Sequence, residues 1–241
     1  MRRILVLVAL VASVAVACRP AGPGAPVQAT RSPVVGSIPT EDPSPSPKKP
    51  RFRSEISAID AETRDLMTGL SWRPGCPVTI EDLRLLTLNH WGYDGRVRTG
   101  KLLIHEDHAR SVVRVFRRLF RARFTIQRMK LVDEYGADDN RSMAANNTSA
   151  FNCRAVTGGS GWSQHSYGWA IDINPIQNPY IASDGTVLPP AGVEWVERTQ
   201  NVQGMIHDGD VVVRAFAAIG WEWGGHYRSI KDYQHFSATG G

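Results

Sequence analysis

Ser163-Gln164-His165-Ser166-Tyr167-Gly168-Trp169-Ala170-Ile171-Asp172-Ile173-Asn174 reads as a turn that runs into a strand. Past Gly168 the residues alternate, with Ile171 and Ile173 on one face and Ala170, Asp172 and Asn174 on the other. An Asp flanked by two Ile has one face against core, and burying its carboxylate without a partner is costly. His165, across Gly168, offers a second donor atom for the same cation. A second stretch, Trp221-Glu222-Trp223-Gly224-Gly225 followed by Asp232-Tyr233-Gln234-His235-Phe236, places an Asp and a His three apart in a turn. Two neutral imidazoles and one carboxylate form a donor set suited to catalytic zinc, with a fourth position left open. Any one of the seven His is more often structural than ligating, so the weight rests on the combination. His105 and His108 flank Glu106 and Asp107 at a helix start without a third ligand in sequence, and they read as surface residues.

Ser163-x-His165-x-x-Gly168-x-Ala170-x-Asp172, then Trp223-Gly224-Gly225 and Asp232-x-x-His235-Phe236, resembles the zinc metallopeptidases that cleave peptidoglycan stem peptides. That family includes D-alanyl-D-alanine carboxypeptidases, D-Ala-D-Ala dipeptidases and L-alanyl-D-glutamate endopeptidases. The resemblance implies a small antiparallel sheet with helices on one side and a zinc site at the sheet, as in Hedgehog and D-Ala-D-Ala peptidase folds. Carried over by position, it makes His165, Asp172 and His235 the zinc ligands and Asp232 the catalytic carboxylate. The family also places an Arg on a strand before the His motif, where it engages the substrate. Arg154, in Phe151-Asn152-Cys153-Arg154, is the match, with Arg141 in reserve. Ser163 and Tyr167 stand where they would orient ligands or line the pocket. The implied partners are stem peptides, and the expected state is a monomer. The resemblance leaves open whether the cleaved bond is of the carboxypeptidase or the endopeptidase type. A non-catalytic wall-binding lipoprotein that keeps the zinc fold is the alternative. Its mark would be a lost ligand or a lost Asp232, and none is lost.

Residues 54–241 read as one α+β domain without internal repeats. Thr79-Ile80-Glu81-Asp82 looks like a capped helix start, with Leu83, Leu86 and Leu88 as its apolar positions and Tyr93-Asp94-Gly95 as its turn. Leu102–Ile104 suggests a short strand, and Met129–Val132 another. From Glu106 to about Arg123, Val112, Val113, Phe116, Leu119 and Phe120 recur at helical spacing. Arg110, Arg114, Arg117, Arg118 and Arg121 take the other side, which reads as a solvated face. Asp210 caps a second helix, Val211 to Ile219, stopped by Gly220. Glu222 reads as a solvent-facing strand residue, and Trp169, Trp221 and Trp223 as packing.

The whole chain has 241 residues and a formal net charge of +5. Residues 1–53 hold eight Lys/Arg against two Asp/Glu, which leaves 20 against 21 in residues 54–241. The near-neutral balance argues against a basic domain that tracks nucleic-acid phosphates. Arg2 and Arg3 precede an apolar run from Ile4 to Ala17, too short to span a bilayer, which takes about 20 residues. Residues 1–17 read as a signal peptide. Ala15-Val16-Ala17-Cys18 resembles a bacterial lipobox, which implies a lipid on Cys18 and membrane attachment through that lipid only. Plain secretion after Ala17 is the alternative. Either way the chain is exported, to the outer face of the cytoplasmic membrane and the wall or beyond. Residues 18–53 form the anchor and a tether, with nine of the fifteen Pro between positions 19 and 50. The basic cluster of Lys48, Lys49, Arg51 and Arg53 reads as solvated, with contact to anionic lipid or wall polymer as the alternative. Once Cys18 is set aside, Cys76 and Cys153 remain, and an even count in an exported domain suggests one disulfide, two buried thiols being the other reading.

Overall fold

The computed structural model describes residues 49–156 and 159–240. The signal segment, Cys18 and the Pro-rich tether up to Lys48 lie outside the described residues. Strands β1 (Ser54–Ser57), β2 (Leu83–Trp91) and β3 (Val97–His105) form an antiparallel sheet in the order β1-β2-β3. Its register pairs Leu85 with Leu103 and Leu86 with Leu102. Consecutive residues point to opposite faces, so both faces of this sheet are apolar and both are covered. Leu86, Leu88, Leu102 and Ile104 join the main core. Leu83, Leu85 and Leu103 meet Met67 of helix α1 (Ala61–Met67), Ile80, Phe151 and Cys153 on the other side. The expectation of helices on one side only is therefore incomplete.

Helix α2 (Glu106–Arg121) buries Val112, Val113, Val115, Phe116 and Leu119 in that core and Phe120 against Trp91, and leaves its arginines exposed. Then follow β4 (Arg128–Met129), α3 (Asp139–Ala144) and β5 (Asn147–Thr148), with β4 and β5 paired in parallel. Strand β6 (Ala170–Asp172) precedes β7 (Tyr180–Ile181), β8 (Val187–Leu188) and helix α4 (Val211–Ala217). The chain closes with β9 (Glu222–Trp223), β10 (Lys231–Asp232) and β11 (His235–Ser237). Two further three-stranded antiparallel sheets result, β6-β11-β9 and β10-β7-β8. The fold is thus mixed α/β, built from several small sheets and few helices. No described helix is long and apolar enough to cross a membrane.

The segment after Thr79 is not a helix. The Thr79–Asp82 capping box is present, but it caps a single 3₁₀ turn, Ile80–Asp82, and β2 starts at Leu83. Pairing on both sides, with β1 and with β3, overrides the local cap signal. The Tyr93-Asp94-Gly95 turn closes the β2–β3 hairpin instead. Leu102–Ile104 is the inner part of a longer strand. Only Met129 of the Met129–Val132 stretch is in a strand, because Val132–Tyr135 turns as a 3₁₀ helix. α2 and α4 stand where expected; Asp210 caps α4 by accepting from the Val212 and Val213 amides.

Cys76 and Cys153 are disulfide-bonded, with their Cα atoms 6.0 Å apart. The bridge ties the loop ahead of Val78 to the segment that carries Arg154. A bond that closes a loop of this length typically contributes about 2–4 kcal/mol, chiefly by restricting the unfolded chain. Reduction is expected to lower the melting midpoint by on the order of 5–15 °C. Calorimetry with and without a reductant checks this; an unchanged midpoint contradicts it.

Candidate active site

His165 sits in a 3₁₀ turn, Gln164–Tyr167, whose N-terminus is capped by the Ser163 side chain accepting from the His165 amide. The turn ends at Gly168, whose φ is +68°, a left-handed conformation that glycine adopts without strain. A Cβ at Gly168 would also stand 2.7 Å from the His105 backbone nitrogen. That close approach lets the His105 amide donate to the Gly168 carbonyl at 3.1 Å, so this glycine ties the His165 turn to the end of β3.

The His165 ring is fixed by its Nδ1, 2.5 Å from the Ala150 carbonyl. A carbonyl only accepts, so Nδ1 carries the proton and the Nε2 lone pair faces inward in the neutral ring. Asp172 lies on β6 directly opposite His235 on β11. Its Oδ2 is 3.1 Å from His165 Nε2 and its Oδ1 is 3.0 Å from His235 Nδ1. The two ring nitrogens are 3.2 Å apart. All three residues are nearly buried, at 3%, 4% and 9% exposure for His165, Asp172 and His235.

Three inward-facing donor atoms this close fit a metal ion. Ligands of tetrahedral zinc at bond lengths of about 2.0–2.1 Å are separated by roughly 3.3 Å, near the separations found here. The Nδ1 bond to Ala150 is also the kind of outer contact that orients a ligating imidazole. Burial works against the Asp172 carboxylate, yet the charges and hydrogen bonds of His165 and His235 outweigh it and hold its pKa well below the usual range. Burial likewise works against a charged His235, but Asp172 overrides it and the imidazole pKa is raised. The metal-free site therefore favours a proton where a cation would sit.

Asp232 ends β10, and a turn of Tyr233 and Gln234 separates it from His235. Its backbone is held opposite Tyr180 of β7. The Trp223-Gly224-Gly225 motif has a steric reason: a Cβ on Gly224 would stand 2.5 Å from the Asp232 carbonyl oxygen and 2.8 Å from its Cβ. Asp232 Oδ1 is buried and has no hydrogen-bond partner among the described residues. Burial pushes the Asp232 carboxyl up to about 6; the imidazoles of His235 and His165 pull it down and the charge of Asp172 pushes it further up.

These groups line one cavity of about 180 Å³. Arg154 is in its wall, with its Nη2 2.8 Å from Asp139 Oδ2. Arg141 is exposed on α3 and does not line the cavity. Ser163 lines it as well, whereas Tyr167 stacks on Trp169 at 4.9 Å and packs in the second core cluster. Glu222 is exposed, and Trp221 and Trp223 are core residues. His105 and His108 are half-buried rather than superficial, because both rings meet the Trp169 ring edge-on. Sequence reasoning missed Asp139, Tyr180 and Tyr227, which share the cavity. Asp139 follows the α3 cap Asp138 in an ordinary acidic helix start, and nothing in that pattern tells the half-buried acid from the exposed one.

Residues 157–238 match a family model described as D-alanyl-D-alanine carboxypeptidase. No curated protein and no solved structure matches the chain. The matched segment supplies His165, Asp172, Asp232 and His235, the residues that the fold gathers around one cavity. Over residues 157–238 the chain is thus similar to the D-alanyl-D-alanine carboxypeptidase family of peptidases.

Proposed function

We infer that this protein is a zinc-dependent peptidase that hydrolyses a peptide bond in peptidoglycan stem peptides, on a fold of the Hedgehog and D-Ala-D-Ala peptidase type. The observation that carries this reading is the convergence of His165 Nε2, Asp172 and His235 Nδ1, all within 4.8 Å of one another, in the cavity that also holds Asp232 and Arg154. His165, Asp172 and His235 would hold the ion. Zinc bound there supplies a Lewis acid that polarises a carbonyl and acidifies water.

The remaining chemistry belongs to the chain. Asp232, with a free and desolvated carboxylate oxygen, accepts a proton from the attacking water and returns it to the leaving amine. Its raised pKa suits both halves of that exchange near neutral pH. Arg154, fixed by Asp139, presents a guanidinium to the substrate carboxylate or to developing oxyanion charge. Asp139 thereby spares the cavity a freely moving cation. The Arg2-Arg3 start, the apolar run to Ala17 and the lipobox-like Ala15-Val16-Ala17-Cys18 support an exported activity, lipid-anchored at the outer face of the cytoplasmic membrane or secreted.

Digestion of purified sacculi tests the reading. Mass spectrometry is expected to find released D-alanine or cleaved stem peptides, and a chelator should stop the release. The released product also distinguishes carboxypeptidase from endopeptidase cleavage. Sacculi that bind the zinc-loaded protein but release nothing would favour the non-catalytic binding module.

A further inference from the structure

Away from the peptidase site, positive charge is segregated on one part of the surface. Between Asp107 and Asp133 the chain carries eight Lys/Arg and no Asp/Glu, and between Pro43 and Ser54 it carries four and again none. The fold brings these runs together. Asn89 of β2 holds the incoming segment, its Nδ2 donating to the Arg51 carbonyl at 2.8 Å and its Oδ1 accepting from the Arg53 amide at 2.7 Å. Phe52 then packs on Phe120 of α2, with ring centroids 5.7 Å apart. The Arg117 guanidinium lies 5.7 Å over Phe52 and that of Arg123 lies 4.9 Å over Trp91.

The result is a surface concavity of about 510 Å³ lined by Lys49, Arg51, Arg117, Arg121 and Arg123 over an aromatic floor, with no carboxylate in its lining. Among the described residues none of these five cations forms an ion pair. Aromatic faces hold two of the guanidiniums in place without neutralising them. Five like charges raise one another's energy, and a polyanionic surface relieves that repulsion.

We propose that this concavity docks the domain on anionic phospholipid headgroups. The argument for a bilayer as the source of the phosphates is positional. Residues 49–52 form one wall, and they are where the described domain meets the N-terminal 48 residues bearing the apolar run and Cys18. A tether entering at that wall keeps the headgroups at high local concentration. Docking there also orients the enzyme. Ile171 and Phe236, next to Asp172 and His235 in sequence, pack into the same core as Val112 and Phe116 of α2. On their strands Asp172 and His235 take the face opposite to Ile171 and Phe236, and the α2 arginines lie on that helix's exposed side, so in the proposed docking the peptidase cavity faces away from the membrane. This orientation rests on the exported, tethered reading above; the charge-lined concavity does not.

Vesicle co-sedimentation tests the proposal on the chain from residue 18 onward carrying Cys18→Ser, so that no lipid contributes. Vesicles of phosphatidylcholine are compared with vesicles containing phosphatidylglycerol. Binding is expected to favour the anionic vesicles and to fall as salt is raised. Arg117→Gln/Arg121→Gln/Arg123→Gln should lose about fivefold per arginine, so on the order of a hundredfold in all. An equal-charge control, Arg96→Gln/Arg214→Gln/Arg228→Gln, should stay within a few-fold of the parent, and melting midpoints verify that both variants fold. No preference for anionic vesicles, or equal losses in the two triple variants, overturns the proposal. Tight binding to soluble polyphosphate with no gain on anionic vesicles overturns the bilayer assignment as well. None of these readouts involves peptide cleavage, so failure of the peptidase reading would be seen separately, on sacculi.

Discussion

His235→Ala is expected to leave the purified protein without stoichiometric zinc and without measurable cleavage of stem peptides. His235 supplies one of three donor atoms, and the other two, on His165 and Asp172, cannot enclose an ion alone. Removing an outer-shell partner of a metal ligand typically costs about 10–100-fold in affinity, and removing a ligand costs more. The variant also takes from the Asp172 carboxylate the imidazole 3.0 Å from its Oδ1, in a strand where Asp172 is almost fully buried. A lower melting midpoint should accompany the metal loss, since a buried charge that loses a partner is costly. Metal analysis after dialysis against zinc-free buffer measures the first effect directly. Full occupancy in His235→Ala would remove this residue from the ligand set.

The site was more legible in the sequence than the fold around it, and the reason is physical. His165 and Asp172 are separated by a single turn and a short strand, and Asp232 and His235 by a two-residue turn. Local geometry constrains each pair, and the glycines at 168 and 224 mark the close backbone approaches that those turns require. The sheet depends on partners far along the chain. Leu83, Leu86 and Leu88 follow a real capping box, and only the pairing of β2 with both β1 and β3 decides that they extend rather than coil. Asp139 was invisible for a similar reason. Burial pushes its carboxyl pKa up while the charge of Arg154 pulls it down, but the two residues meet only once α3 has docked beside the His165 turn. The half-burial of His105 and His108 likewise depends on Trp169, which no local pattern connects to them.

Asp232→Asn should keep zinc and keep the fold, yet lose a factor of roughly 10²–10⁴ in stem-peptide hydrolysis, the usual contribution of a general base. The substitution preserves shape and removes the proton acceptor. Because Asp232 is not in the ligand set, metal content should match the parent. The same change should stabilise the metal-free protein at neutral pH. The folded carboxyl titrates at about 6 against an ordinary 3.8, so the folded state holds this proton more tightly than the unfolded chain does. Stability of the parent is therefore lost as pH rises from about 4 through 6, while the variant has no such group to titrate. The gap corresponds to roughly 3 kcal/mol, and partial exposure of the residue reduces the expected gain to about 1–3 kcal/mol. The difference between variant and parent should be full above about pH 6 and vanish below about pH 4. Denaturant titrations of the two metal-free proteins at pH 4 and pH 7.5 measure it. A parent as stable as the variant at pH 7.5 would mean that the carboxylate is not strained by its surroundings. Hydrolysis by Asp232→Asn at the parent rate would mean that it is not the base. Reduced activity together with increased stability is the pattern of a residue held in an unfavourable charge state for catalysis.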